Sequence, residues 1–78
     1  MQKTAKEMFE ELGYEIFGSN AKYICYRNIK NAWFIEFDLD KKCILTNKPN
    51  TIFNLINLGE LQAINKQVEE LGWNNENS

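Results

Sequence analysis

The 78 residues fit one small domain, and a core of that size supplies only about 3–5 kcal/mol of net stability, so self-association or another staple is often added. With 44% apolar and 13% aromatic residues the chain is too rich in core formers to be disordered. Nine Lys and Arg against eleven Asp and Glu, scattered along the chain, exclude a basic nucleic-acid stripe and are too mixed for a DNA mimic.

Thr4-Ala5-Lys6-Glu7 has the form of a capping box, and Ala5, Met8, Phe9 and Leu12 follow at helical spacing. Gly13 then stands where a helix C-terminus takes a left-handed residue, with Tyr14 folding back on the last turn. Tyr14 to Phe17 forms a short strand ended by Gly18-Ser19-Asn20, and Ala21 to Arg27 a second strand. Asn28 to Asn31 is read as a four-residue hairpin loop leading into Ala32 to Leu39, the clearest strand, where Trp33, Ile35, Phe37 and Leu39 alternate with Phe34, Glu36 and Asp38. Asp40 and Lys41 make the next turn, ahead of a strand over 42–47 whose register is open between Ile44 and the Cys43/Leu45 pair pointing inward.

Pro49 and Asn50 break the chain, and in 51–57 Ile52, Phe53, Leu55 and Ile56 suit either a helical turn or a buried strand, a short strand being preferred because no cap precedes this brief stretch. Asn57-Leu58-Gly59-Glu60 is a second capping signal. Behind it Leu61, Ile64, Val68 and Leu71 mark an apolar helix face with Ala63 near its edge. Gly72 stops the helix and Trp73 returns on it, so "EELGY" and "EELGW" near the two ends are shared helix punctuation and not a functional repeat.

The fold class that follows is α+β: a two-layer sandwich, αβββ(β)α, with an antiparallel sheet of three to five strands and both helices on one face. Residues 1–73 make the domain and 74–78 a polar tail. Ile24, Tyr26, Trp33, Ile35 and Phe37 are expected to point at the helices.

Catalytic groups are scarce. Histidine is absent and serine occurs only at Ser19 and Ser78, so the usual general base and the commonest metal ligand are missing. Cys25 and Cys43 read as free thiols in a reducing cytosol, since no signal peptide or long apolar run is seen. Glu36, Asp38 and Asp40 put carboxylates two apart, and Glu36 and Asp38 share a face as a cation or acid–base pair would, but the wet side of an amphipathic strand is the better account, with Asp40 serving the turn. No enzyme, metal or cofactor is expected.

The sheet face away from the helices is the more informative surface. With the 28–31 loop, Tyr23 stands opposite Glu36, Cys25 opposite Phe34 and Arg27 opposite Ala32. That face would carry Tyr23, Cys25, Arg27, Phe34, Glu36 and Asp38, the composition of a protein-binding patch, with a homodimer interface as the plainer alternative. The order αβββα also belongs to double-stranded RNA-binding domains, but "LGELQAINKQ" lacks the lysine cluster needed at the second helix, so nucleic acid is not an expected partner.

"AKEMFEELGYE" and "ELQAINKQVEELGW" resemble the two ends of small uncharacterised proteins encoded by phages and prophages of low-GC Gram-positive bacteria (Firmicutes). Eleven Asn, eight Ile and eight Lys against the single Arg27 fit such AT-rich coding DNA. The resemblance implies an accessory protein in the bacterial host cytoplasm and transfers no catalytic residue. Three expectations follow: binding of a host or defence-system protein through Tyr23, Arg27, Phe34, Glu36 and Asp38; a homo-oligomer sequestering a nucleotide-like ligand; or a structural small protein without a specific partner.

Overall fold

The computed structural model describes residues 3–52 and 54–73. Its order is α1 (Ala5–Glu11), β1 (Tyr14–Ser19), β2 (Tyr23–Asn28), β3 (Trp33–Asp38), β4 (Cys43–Asn47) and α2 (Leu58–Glu70). The strands form an antiparallel meander in the order β1-β2-β3-β4, with the two helices on one face. This is the α+β sandwich expected from the periodicity. The polar tail at 74–78 lies outside the described residues.

Both capping boxes form. The Thr4 hydroxyl accepts from Glu7 N at 3.1 Å while the Glu7 carboxylate accepts from Thr4 N at 2.8 Å. Asn57 and Glu60 repeat the exchange at 2.8 and 3.1 Å. Gly13 ends α1 at φ +94°, and a Cβ there would also press within 3.3 Å of the Asn28 side chain. Only glycine meets both demands. The helices run antiparallel, since the Glu70 carboxylate of α2 accepts from Ala5 N at the start of α1, where it also faces the positive end of the helix dipole.

The core is aromatic. Phe9 of α1 stacks on Tyr26 with centroids 4.0 Å apart, while Tyr14 and Phe37 meet Phe9 edge-on at 5.8 and 6.2 Å. Ile35, Ala63 and Ile64 complete it, and Ile24 and Trp33 pack at its margin. All five residues expected to face the helices therefore do so. On α2 the stripe read by hydrophobicity holds except at one position: Ile64 is buried with Ala63, and Val68 and Leu71 pack against the core, but Leu61 is exposed on the flank and the polar Glu60 and Gln67 are buried beside the stripe. The polar members are held because Gln67 accepts from the Tyr26 hydroxyl at 2.6 Å and Glu60 from the Tyr14 hydroxyl at 2.8 Å.

Two expectations are corrected in the hairpins. Asn28 pairs with Trp33, so the loop is 29–32 and the register moves by two: Tyr23 faces Asp38, Cys25 faces Glu36 and Arg27 faces Phe34. The cause is the Asn28 side chain, whose Oδ1 accepts from Lys30 N and Asn31 N, with Ala32 turning left-handed at φ 57°. The next hairpin is built the same way. Asp38, and not Asp40, caps it by accepting from Asp40 N and Lys41 N, and Lys42 takes φ 55°. The strand then starts at Cys43 with Ile44 opposite Phe37, which places Ile44 on the helix side and Leu45 on the other.

No strand forms over the described part of 51–57; Phe53 lies outside the described residues. Side chains, not a neighbouring strand, take the backbone groups here. Asn54 Oδ1 accepts from Lys48 N, Lys48 Nζ donates to the Leu55 carbonyl, and Glu60 Oε1 accepts from Asn57 N.

Candidate functional site

Period-two alternation gives the sheet a face that no helix covers. Pairing arranges its residues in three rows: Glu15–Arg27–Phe34–Asn47, then Gly18–Cys25–Glu36–Leu45, then Tyr23–Asp38–Cys43. Because a shift of two preserves the faces, the five residues singled out from sequence, Tyr23, Arg27, Phe34, Glu36 and Asp38, do share one surface. Their neighbours differ from those expected.

A bulge between Ile16 and Gly18 in β1 brings in Phe17, which sequence reasoning missed. Strict alternation would give Phe17 to this face, but reading Tyr14 to Phe17 as a short strand end left it without a neighbour. Its ring meets Phe34 edge-to-face at 5.5 Å and carries the Arg27 guanidinium 4.6 Å above it. Arg27 is thus bracketed by Phe17 and faces Phe34 across the strands, and its Nε is buried without a hydrogen-bond partner. Gly18 makes room on the same side: a Cβ there would stand 3.0 Å from the Tyr23 ring. Tyr23 lies down across β1 for that reason.

Between these groups is a cleft of about 230 Å³ lined by Phe17, Tyr23, Cys25, Phe34, Glu36, Leu45 and Asn47. Its walls are aromatic and aliphatic, with Glu36 as the charged wall. The volume falls below the roughly 300–1,000 Å³ of small-molecule sites, and suits a single inserted side chain. Leu45, open in the sequence reading, is part of it.

The thiol at the floor is quiet. Burial pushes the Cys25 thiol up, and the neighbouring Glu36 charge pushes it further, which is the opposite of what a reactive cysteine needs. Cys43 is exposed. Asp38 spends one carboxylate oxygen on the turn, so of the acidic pair Glu36 is the one directed into the cleft. Among the described residues no three metal-ligating side chains come together.

A larger groove of about 470 Å³ runs between the helices, with Met8 and Leu12 as its apolar floor and Lys3, Glu11 and Lys66 at the rim. Lys3 is paired with Glu11, and Lys66 with Glu69. Aromatic and lysine side chains do share one recess, at Trp33 and Lys30, but Lys48 Nζ already occupies the Trp33 ring face at 4.6 Å.

The strongest polar cluster is structural and was not foreseen. Lys48 and Glu60, only 6% and 2% exposed, form a 2.6 Å ion pair between the end of β4 and the start of α2. Burial raises the Glu60 carboxyl, but hydrogen bonds from Lys48, Tyr14 and Asn57 N outweigh it and hold the group below its ordinary value. In sequence Lys48 is one lysine among eight, with nothing to mark it.

No described helix is long and apolar enough to cross a membrane. The chain matches no protein family, no curated protein and no solved structure.

Proposed function

We propose that this chain is a non-enzymatic binding protein that docks on a protein partner through its open sheet face, as a phage or prophage accessory protein acting on a host or defence-system protein would. The observation that supports the reading is the Phe17–Arg27–Phe34 cluster beside the apolar cleft. Aromatic and arginine anchors around an apolar recess are the composition of interface hot spots. Glu36 at the wall fits a partner that inserts an apolar side chain next to a lysine or arginine.

The test is comparative. Tagged wild-type protein, the variant Tyr23→Ala/Glu36→Lys and the control Gln62→Ala, altered in the helix groove, are each used to capture protein from a low-GC Gram-positive lysate. One stoichiometric protein held by wild type and control but lost from the face variant supports the reading. Equal capture by all three, or none by wild type, sinks it.

A further inference from the structure

A sheet edge exposes a row of unpaired N–H and C=O groups that can template another strand unless something blunts it. The two edges of this sheet differ. β1 is interrupted by its bulge and carries Glu15, both common edge protections. β4 reads Cys-Ile-Leu-Thr-Asn over Cys43–Asn47, with no charge, proline or bulge. It stands at the sheet edge, and among the described residues no backbone hydrogen bond from a segment other than β3 reaches it.

β4 is also apolar on both faces. Ile44 is 39% exposed toward the helix layer and Leu45 60% exposed on the open face. The helix layer stops short of it. α1 packs on β1, and α2 turns its Gly59, Gln62 and Lys66 flank toward α1. At 100° per residue Leu61 then projects from the flank on the β4 side, where it too is exposed.

We propose that β4 pairs antiparallel with β4 of a second copy, centred on Leu45, to join the two four-stranded sheets into one. An antiparallel edge is self-complementary under a two-fold axis, and this register uses all five strand residues, setting Cys43 opposite the second copy's Asn47 and Leu45 opposite itself. A second copy brings an apolar residue for each face at once: Leu45 meets Leu45 on the open side, and Ile44 adds its methyls beneath. Leu45 and Asn47 also line the cleft, so pairing extends that face across both copies. The inference stands on the edge alone and is independent of what docks on the open face.

Sedimentation equilibrium over a micromolar to millimolar range is the test. Wild type is expected at twice the monomer mass at the upper end, and Leu45→Lys, a substitution at an exposed position whose circular dichroism should match wild type, at the monomer mass throughout. In a Cys43→Ser background, Leu45→Cys should oxidise to a covalent dimer, because paired Cα atoms about 4.5–5.5 Å apart suit a disulfide. A wild type that stays monomeric overturns the proposal and leaves the edge for an extended segment of another protein. A dimer that survives Leu45→Lys without forming the Leu45→Cys cross-link overturns the assigned interface.

Discussion

Lys48→Met is the perturbation that tests the energetic account most directly. It removes the donor 2.6 Å from Glu60 Oε1, the bond from Lys48 Nζ to the Leu55 carbonyl, and the cation on the Trp33 ring. Glu60 remains buried with only Tyr14 and Asn57 N as donors. Breaking a buried pair from one side costs about 3–5 kcal/mol, comparable with the whole net stability of about 3–5 kcal/mol for a domain this small. At pH 7 the variant should be largely unfolded. Lys48→Met/Glu60→Gln removes both charges while keeping an acceptor for Tyr14, so it should recover to within about 1–3 kcal/mol of wild type. The pH dependence has a definite sign. In wild type the folded Glu60 carboxyl lies below its ordinary value, near 4.3 in unfolded chains, so its contribution is fully present above the unfolded value and lost as pH falls from there through the lower folded one. Without Lys48 the buried carboxylate is the burden, and protonation relieves it. The deficit of Lys48→Met against wild type should therefore shrink from pH 7 toward pH 4. Urea unfolding followed by tryptophan fluorescence at both pH values, for wild type, Lys48→Met, Glu60→Gln and the double variant, measures all of this. A Lys48→Met cost below about 1 kcal/mol, or a double variant no more stable than Lys48→Met, refutes the reasoning.

Phe37→Ala empties a fully buried site among Phe9, Tyr26 and Trp73, and a loss of about 3–5 kcal/mol should show as an unfolded circular dichroism spectrum at 25 °C. Ala32→Gly should stabilise by about 0.5–1 kcal/mol in the same denaturation assay, because Ala32 sits at φ 57° and the left-handed cost of a Cβ exceeds glycine's entropy cost. Base unfolding has a stated window: burial raises the Tyr14 phenol and pushes Tyr26 up to about 12, both above the unfolded value near 10. Stability is full below pH 10 and should fall as pH rises beyond it, read as a drop in melting temperature. A thiol reagent at pH 8 should modify Cys43 in the native protein and reach Cys25 only after denaturant is added, since Cys25 is buried with a raised thiol; equal native rates would contradict the packing.

The sandwich was legible because its signals are local and agree with one another. Each helix begins at a capping box and ends at a glycine held at positive φ, Gly13 at 94° and Gly72 at 77°. The alternation in β3 separates Ile35 and Phe37 from Phe34 and Glu36 without reference to anything distant. The site residues inherit this: any even register places Tyr23, Arg27, Phe34, Glu36 and Asp38 on one face, so the surface was readable while its pairing was not. The register turned on which residue closes the loop. Asn28 and Asp38 each end a strand and cap the turn that follows with their own side chains, a device that recurs at Asn20, whose Oδ1 accepts from Lys22 N and Tyr23 N. Three hairpins share one rule: an Asn or Asp at the strand end or loop start, accepting from backbone N–H groups two and three residues on. Counted as ordinary loop formers, those residues shift each turn; counted as caps, they fix it.

What local signals did not carry is how the chain crosses from β4 to α2. Apolar content at Ile52, Leu55 and Ile56 suggested burial, yet all three are exposed, while the polar Lys48 and Glu60 lie inside. The inversion has a physical reason. Lys48 leaves β4 beneath the first turn of α2, and the capping box has already turned the Glu60 carboxylate back toward Asn57. Its second oxygen meets the Tyr14 hydroxyl, so the site is polar before Lys48 arrives, and a cation is the group that satisfies it. A helix cap read in isolation as end punctuation is thus also the acceptor that pins the linker, which is why hydrophobicity alone put the wrong residues of this segment inside.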